Sequence, residues 1–357
     1  MAVGGGGGSG GVGVKVKGEM RAAMIAIEKK FVNWKAIGEQ YTDPLPANEA
    51  LPPAEIAVCR NKGIEFVKEL GSGGYGKVWQ VRCSQLLSAQ PHRNYVNEDM
   101  ACKIMSILRF KRHKTPAKAT SEMLTEYSLH KRLQHPYLVR SEDAFHIVDA
   151  MTGFPYVRHL HFMELCAGNL RDLLKSMGKM GESEAKSWFR MMCDALRYLH
   201  RQNISHLDIK LDNILYLFDP QTSAAEFKLS DLGLARSCKF ISGRIGTEIY
   251  MAPEQPTRAK ILADPLLSRA IYATQPCDIY SLALAVCETL GGVKTHIQTK
   301  QLVIGIKNEQ ILRRVHILGT DINTLEFCQL LQGMLATDPK TRFNIEQVAQ
   351  HPWYLQP

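Results

Sequence analysis

One eight-residue stretch and one tripeptide constrain this chain more than anything else in it. His206-Leu207-Asp208-Ile209-Lys210-Leu211-Asp212-Asn213 is followed eighteen residues on by Asp231-Leu232-Gly233. Together they set two carboxylates (Asp208 and Asp231), an ammonium (Lys210) and a carboxamide (Asn213) at fixed spacing. Such a set can hold a magnesium ion and aim a hydroxyl at a phosphate. Polar residues that merely cap turns would account for Asn213 alone, not for the whole series in this order.

The residues upstream add to this. Gly71-Ser72-Gly73-Gly74-Tyr75-Gly76-Lys77-Val78 follows Leu70, between a strand-like run, Ile64 to Leu70, and its hairpin partner, Lys77 to Arg82. Glycine lets a hairpin backbone lie close over phosphates, with amide hydrogens facing the oxygens. Alone, the glycine pattern fits a flexible turn or a dinucleotide fingerprint equally well. A strand follows it here where a dinucleotide site would have a helix. Ala101-Cys102-Lys103-Ile104 then puts an ammonium in a third strand, Met100 to Ile107, on the face shared by Ala101 and Met105. An inward lysine needs an anionic partner. The helix expected over 121–133 offers Glu126, preferred over its competitor Glu122 one turn earlier. That ion pair would hold Lys103 against nucleotide phosphates.

Two more strand-like runs, Ala144 to Ala150 and Tyr156 to Leu165, complete a small sheet. Beyond them the pattern turns helical. Residues 182–202 carry Ala185, Trp188, Phe189, Met192, Leu196 and Leu199 on one face, and Asp278 to Leu290 is apolar nearly all round, as a buried helix is. Strands first and helices second predict an α+β fold in two lobes with a cleft between them.

From about residue 64 to 354 the chain resembles the eukaryotic protein kinase superfamily, with the motifs in that family's order. The resemblance implies a mostly-β N-lobe over 64–165, a larger mostly-α C-lobe over 166–354, and transfer of a phosphoryl group from ATP, with Mg2+, to protein substrates. It implies that Met163 is the gatekeeper and that Glu164-Leu165-Cys166 is the hinge whose backbone binds adenine. Leu70 through Val78, with Ala101, would enclose the nucleotide. Asp208 would orient the acceptor hydroxyl and take its proton, Lys210 would neutralise charge on the moving phosphoryl group, and Asn213 and Asp231 would be the magnesium ligands. Gly246 to Glu254 resembles the segment that ends the activation loop and binds the peptide, and Lys210 with Thr247 is the serine/threonine pattern. Asp278 and Arg342 match family residues with structural roles, anchoring the catalytic loop and pairing with Glu254. The hinge and His206 to Lys210 are similar to Wee/Myt-type kinases, the rest generic. The alternative is a catalytically weak kinase or pseudokinase acting as a nucleotide-binding scaffold, against which the complete set Lys103, Glu126, Asp208, Asn213 and Asp231 counts.

Three departures from the family pattern carry expectations. Leu207 stands where many kinases have an arginine that binds an activation-loop phosphate, and leucine cannot. Gly243, four residues before Thr247, is no phosphate acceptor either, so activity is expected not to depend on phosphorylation there, with Ser237 and Ser242 as remaining sites. His130 falls where an apolar residue is usual, one turn after Glu126, and is expected to loosen that helix and leave it to a partner or the N-terminal helix. Residues 84–97 and 256–276 read as long loops to which the sequence assigns no chemistry.

Ahead of this region, 1–63 reads as an extension. A glycine-rich tract over 4–13 is expected to be disordered. An amphipathic helix from Met20 to about Gly38 either packs on the domain or docks a regulatory partner or second copy. Residues 43–53 are a proline-rich linker. Nine scattered cysteines, with no CxxC pair, suit neither a zinc site nor a disulfide framework. No run is long and apolar enough to span a bilayer, no secretory h-region is present, and Ala2 excludes N-myristoylation, so no membrane association and a cytoplasmic or nuclear location are expected. The net charge of +9 is read without a nucleic-acid partner: the densest basic run, Arg109 to Lys114, falls where a loop should join a strand to a helix.

Overall fold

The computed structural model describes residues 51–356 apart from 52, 74–75, 89–92, 107–123, 125, 150–153, 219–223, 238–239, 243–244, 270 and 292–324. The glycine tract, the amphipathic stretch from Met20 and the basic run from Arg109 lie outside them. The chain divides into two compact units: residues up to Lys131 with Ser141–Leu165, and Arg132–Arg140 with everything from Cys166 onward.

The first unit is built on a five-stranded antiparallel sheet: β1 (Ile64–Gly73), β2 (Gly76–Cys83), β3 (Asp99–Ser106), β4 (Ser141–Asp149) and β5 (Phe154–Glu164), in the order β1-β2-β3-β5-β4. Its core follows from period-two alternation. Trp79, Val81 and Cys83 of β2 and Met100, Cys102 and Ile104 of β3 point to one buried face, joined by Leu160 and Phe162 of β5. β3 is covered on its other face too, where Ala101, Lys103 and Met105 are buried. A nine-residue helix, α1 (Pro53–Asn61), closes this core, with Leu51 and Cys59 fully buried. Its Glu55 Oε2 accepts from Arg158 Nε on β5 at 2.9 Å. Of the proline-rich stretch 43–53, residues 43–50 and 52 lie outside the described residues, whereas Leu51 packs in this core and Pro53 starts α1. Residues 126–132 form a second helix, α2.

The polar stretch 84–97 has no helix or strand among its described residues, but it is tied down. Tyr95 is fully buried; its hydroxyl donates to Asp143 Oδ2 at 2.5 Å and accepts from the Leu87 amide at 2.7 Å. Arg93 pairs with Glu98 at 2.6 Å and Glu142 at 3.1 Å.

The second unit is mostly helical. Asn169 caps α3 (Leu170–Met177) by accepting from the Asp172 amide, and Gly178, at φ +86°, ends it. In α4 (Glu182–Arg201) the expected apolar face is buried throughout, with acidic residues in the first turn and His200 and Arg201 in the last, as the helix dipole favours. A small sheet pairs β6 (Gly168–Asn169), β7 (Ile214–Phe218) and β8 (Ala225–Leu229).

The insert 256–276 proves not to be a featureless loop. It contains α5 (Arg258–Ala263), capped by the Thr257 hydroxyl, then a 3-10 turn at Pro265–Arg269. Its last strand, β10 (Ile271–Ala273), pairs antiparallel with β9 (Phe240–Ser242) in the expected activation loop. A side-chain cap, a proline break and a β-branched–aromatic pair are each too short a signal to rise above loop composition.

Next comes α6 (Gln275–Gly291), in which every residue from Cys277 to Leu290 is buried. The chain finishes with α7 (Leu325–Met334), α8 (Ile345–Ala349) and α9 (Pro352–Leu355). Fully buried Trp353 packs on Phe189 and Phe327 and donates its indole N–H to Glu182 at 2.6 Å.

Candidate active site

The site in the second unit is assembled from the buried helix outward. Asp278, fully buried in α6, accepts from the backbone amides of His206 at 2.9 Å and Leu207 at 2.7 Å, and its Oδ2 also meets His200 Nε2 at 2.9 Å. These bonds hold Leu207 at φ +66°, a left-handed conformation that costs a branched residue about 1–3 kcal/mol. Gly246 lies against the same turn at φ +103°, where a Cβ would come within 2.6 Å of the Leu207 carbonyl oxygen. His206 Nδ1 accepts from the Asp208 amide at 3.2 Å, which places the ring's proton on Nε2, facing Ser230 O at 2.8 Å.

So positioned, the Asp208 carboxylate is 7% exposed and saturated with donors. Its Oδ1 accepts from the Thr247 hydroxyl at 2.6 Å; its Oδ2 accepts from Lys210 Nζ at 2.8 Å and Asn213 Nδ2 at 3.0 Å. Lys210 also donates to the Thr247 hydroxyl at 2.9 Å, closing a triangle. The arrangement is that of a tethered base, with a cation beside it and a hydroxyl already bound to it.

Asn213 spends its amide nitrogen on Asp208, at Oδ2 and at the backbone carbonyl (2.8 Å), which turns its carboxamide oxygen away from that residue. Its own carbonyl accepts from Ser230 N at 2.8 Å and Ser230 Oγ at 2.9 Å. Asp231 follows directly, at φ +61°. A carboxylate and a carboxamide oxygen are hard donors. Magnesium usually takes one or two protein oxygens and completes its shell with phosphates and water, so this pair fits it. Among the described residues, no cluster of three or more His, Cys, Asp or Glu competes as a metal site.

The first unit carries the other half of the predicted set. Lys103 Nζ meets Glu126 Oε1 at 2.7 Å, with each side chain 11% exposed; the competitor Glu122 lies outside the described residues. Lys103 stands opposite Val78 in the β2–β3 register, and Ala101 opposite Met163 in β3–β5. In the glycine hairpin Gly71 pairs with Val78, Ser72 with Lys77 and Gly73 with Gly76, while Gly74 and Tyr75 lie outside the described residues. Gly76 is fixed by packing: a Cβ there would overlap the Ile104 carbonyl oxygen. Leu70 is exposed, Glu164 buried, Met163 and Cys166 half-buried.

Sequence reasoning flagged His130 alone of what is a histidine cluster. His130, His159 and His161 are buried, and His146 is half-buried. His159 Nδ1 meets His146 Nε2 at 2.8 Å, His161 Nε2 meets Ser141 Oγ at 2.8 Å, and the His130 and His161 rings meet edge to face at 5.1 Å. His161 pairs directly with Lys103 across β3 and β5. The signal was available, since His159-Leu160-His161 puts two imidazoles on one strand face. Also unforeseen was a network of Arg171, Asp212, Tyr250 and Glu288; an arginine in a short helix's first turn gives no sequence cue. Glu254 and Arg342, by contrast, pair as expected, at 2.6 and 2.9 Å.

Residues 64–354 match the family model described as protein kinase domain. The serine/threonine-protein kinase SRK2I of Arabidopsis thaliana is 24% identical over 306 residues, 82% of this chain and 72% of that protein. The protein kinase kin1 of Schizosaccharomyces pombe is 25% identical over 307 residues, 81% of this chain but 30% of that protein. The DNA damage response protein kinase DUN1 of Saccharomyces cerevisiae is 25% identical over 307 residues, 80% of this chain and 54% of that protein. With a family match over most of its length and relatives of this kind, the chain belongs to the eukaryotic protein kinase superfamily, serine/threonine type.

Proposed function

We propose that this protein transfers the γ-phosphoryl group of ATP to serine or threonine hydroxyls of protein substrates. The observation that carries the reading is the triangle of Asp208, Lys210 and Thr247. An acceptor hydroxyl entering this site would donate to the Asp208 carboxylate beside Thr247, and its proton passes to that carboxylate as its oxygen bonds the γ-phosphorus and the bond from that phosphorus to the ADP oxygen breaks, releasing ADP. Lys210, already 2.8 Å from Asp208, is placed to balance charge spreading over the equatorial phosphoryl oxygens. Lys103, held by Glu126, serves the α- and β-phosphates, and the hinge Glu164 to Cys166 serves adenine. Asn213 and Asp231 would hold magnesium, which would supply charge neutralisation for the triphosphate.

Activity is proposed not to require activation-loop phosphorylation. Leu207 is buried and apolar, and the loop has backbone partners of its own: the Ser205–Arg236 bridge and the β9–β10 pairing. The cytoplasm or nucleus is the proposed location. The test is a peptide-array phosphorylation assay with the purified protein, run beside Asp208→Asn and Lys103→Met. Asp208→Asn is expected to lose about 10²–10⁴-fold in transfer while still binding nucleotide; Lys103→Met is expected to weaken binding as well. Equal transfer by wild type and Asp208→Asn would overturn the reading in favour of a scaffold.

A further inference from the structure

Arg171, in the first turn of α3, lies outside the predicted inventory, yet its guanidinium reaches three elements. Nε donates to Asp212 Oδ2 at 2.8 Å, Nη1 to Glu288 Oε1 at 2.7 Å, and Nη2 to the Tyr250 hydroxyl at 2.6 Å and Glu288 Oε2 at 3.4 Å. The Tyr250 hydroxyl donates in turn to Glu288 Oε2. Burial, and then the Glu288 carboxylate, push that hydroxyl well above its usual range, so it keeps its proton and remains a donor.

The partners are informative. Asp212 immediately precedes Asn213, which grips Asp208 from one side; Tyr250 follows three residues after Thr247, which grips it from the other. Glu288 belongs to the same buried helix as Asp278, the anchor of the catalytic loop. We propose that Arg171 is a positioning residue that clamps the catalytic loop and the peptide-binding segment to α6, holding both partners of Asp208 in register. The clamp rests on the phosphotransfer reading above for its purpose, though not for its geometry.

Folding alone does not require all of this. Glu288, 1% exposed at its side chain, does need a counter-charge. Asp212, however, is 46% exposed, and water would satisfy its carboxylate. Its bond to Arg171 therefore serves to order the loop. The geometry is also particular to arginine, whose planar fork bonds in three directions where a lysine ammonium is a single point.

The test compares wild type with Arg171→Met, Arg171→Lys and Asp212→Ala, measuring steady-state kinetics on an array-selected peptide and amide hydrogen exchange over 206–213 and 245–252. Arg171→Met is expected to lower kcat between about 10- and 100-fold, the scale of a small misplacement of reacting groups, with KM for ATP within about twofold. Arg171→Lys should recover melting temperature but not kcat, a split that a purely structural cation would not show. Asp212→Ala, an exposed change that keeps the fold, should raise exchange in 206–213 by about tenfold and lower kcat; it decides the matter even if Arg171→Met fails to fold. Unaltered exchange in Asp212→Ala, or kcat within about twofold of wild type, overturns the clamp. If wild type transfers no phosphate, the functional reading fails, and exchange alone then judges the clamp.

Discussion

Asp208 is held by more bonds than a turn residue needs, and each neighbour constrains a different degree of freedom: its amide through His206, one carboxylate oxygen through Thr247, the other through Lys210 and Asn213. That redundancy made these residues legible from sequence, because the chemistry fixes both residue type and spacing within one loop. The histidine cluster has no such local requirement, and it carries a cost that shows with pH. Burial, then the neighbouring His146 and Lys103, lower the His159 pKa to about 3 from an ordinary 6.5. Burial, with His130, His159 and Lys103, drives His161 down likewise. Among the described residues, His159 Nε2 and His161 Nδ1 have no hydrogen-bond partner. With its folded-state pKa depressed, His159 stays neutral in the native protein while the unfolded chain takes up a proton below about pH 6.5. Stability is therefore full above that value and is lost as pH falls toward 3, by about 2 kcal/mol at pH 5 from His159 alone. Urea midpoints at about pH 7.5 and about pH 5 check this. His159→Gln, which offers hydrogen bonds but takes up no proton, should show a shallower fall than wild type; parallel falls would refute the assignment.

At the scale of elements, the pairing of β9 with β10 gives the activation loop a fixed partner within the chain. Backbone pairing needs no modification to form, whereas an arginine–phosphate contact does. Phosphatase-treated protein should accordingly retain its transfer rate within about twofold, whereas Tyr272→Pro, which removes an amide hydrogen and a buried ring from β10, should lower it about tenfold or more. Loss of activity on dephosphorylation, checked by mass spectrometry of the treated protein, would reverse the expectation for the loop. The long elements were readable: β2 and β3 by alternation, α4 by its apolar face, α6 by being apolar all round. The short ones were not. A three-residue strand such as β10 owes its existence to a distant partner, and among the described residues of α1 only Ile56 and Cys59 join the core, with Leu51 just ahead of it, too few positions for a helical period to stand out after a proline-rich run. Tyr95 and Arg93 read as loop residues because their partners, Asp143 and Glu142, lie some fifty positions away.

At the scale of the whole molecule, each compact unit carries its own core and its own share of the chemistry, the Lys103–Glu126 pair in one and the Asp208 set in the other. The family match begins at Ile64, yet the first unit's packing begins earlier. Leu51 and Cys59 are fully buried in its core, and Glu55 is ion-paired with Arg158, whose side chain is 7% exposed. Anyone trimming a gene to the family's edge would thus remove one wall of the smaller unit and strand a guanidinium that has little water to turn to, a defect worth about 3–5 kcal/mol. A fragment starting at residue 64 should melt well below one starting at residue 45, and the longer one is the piece to express and crystallise.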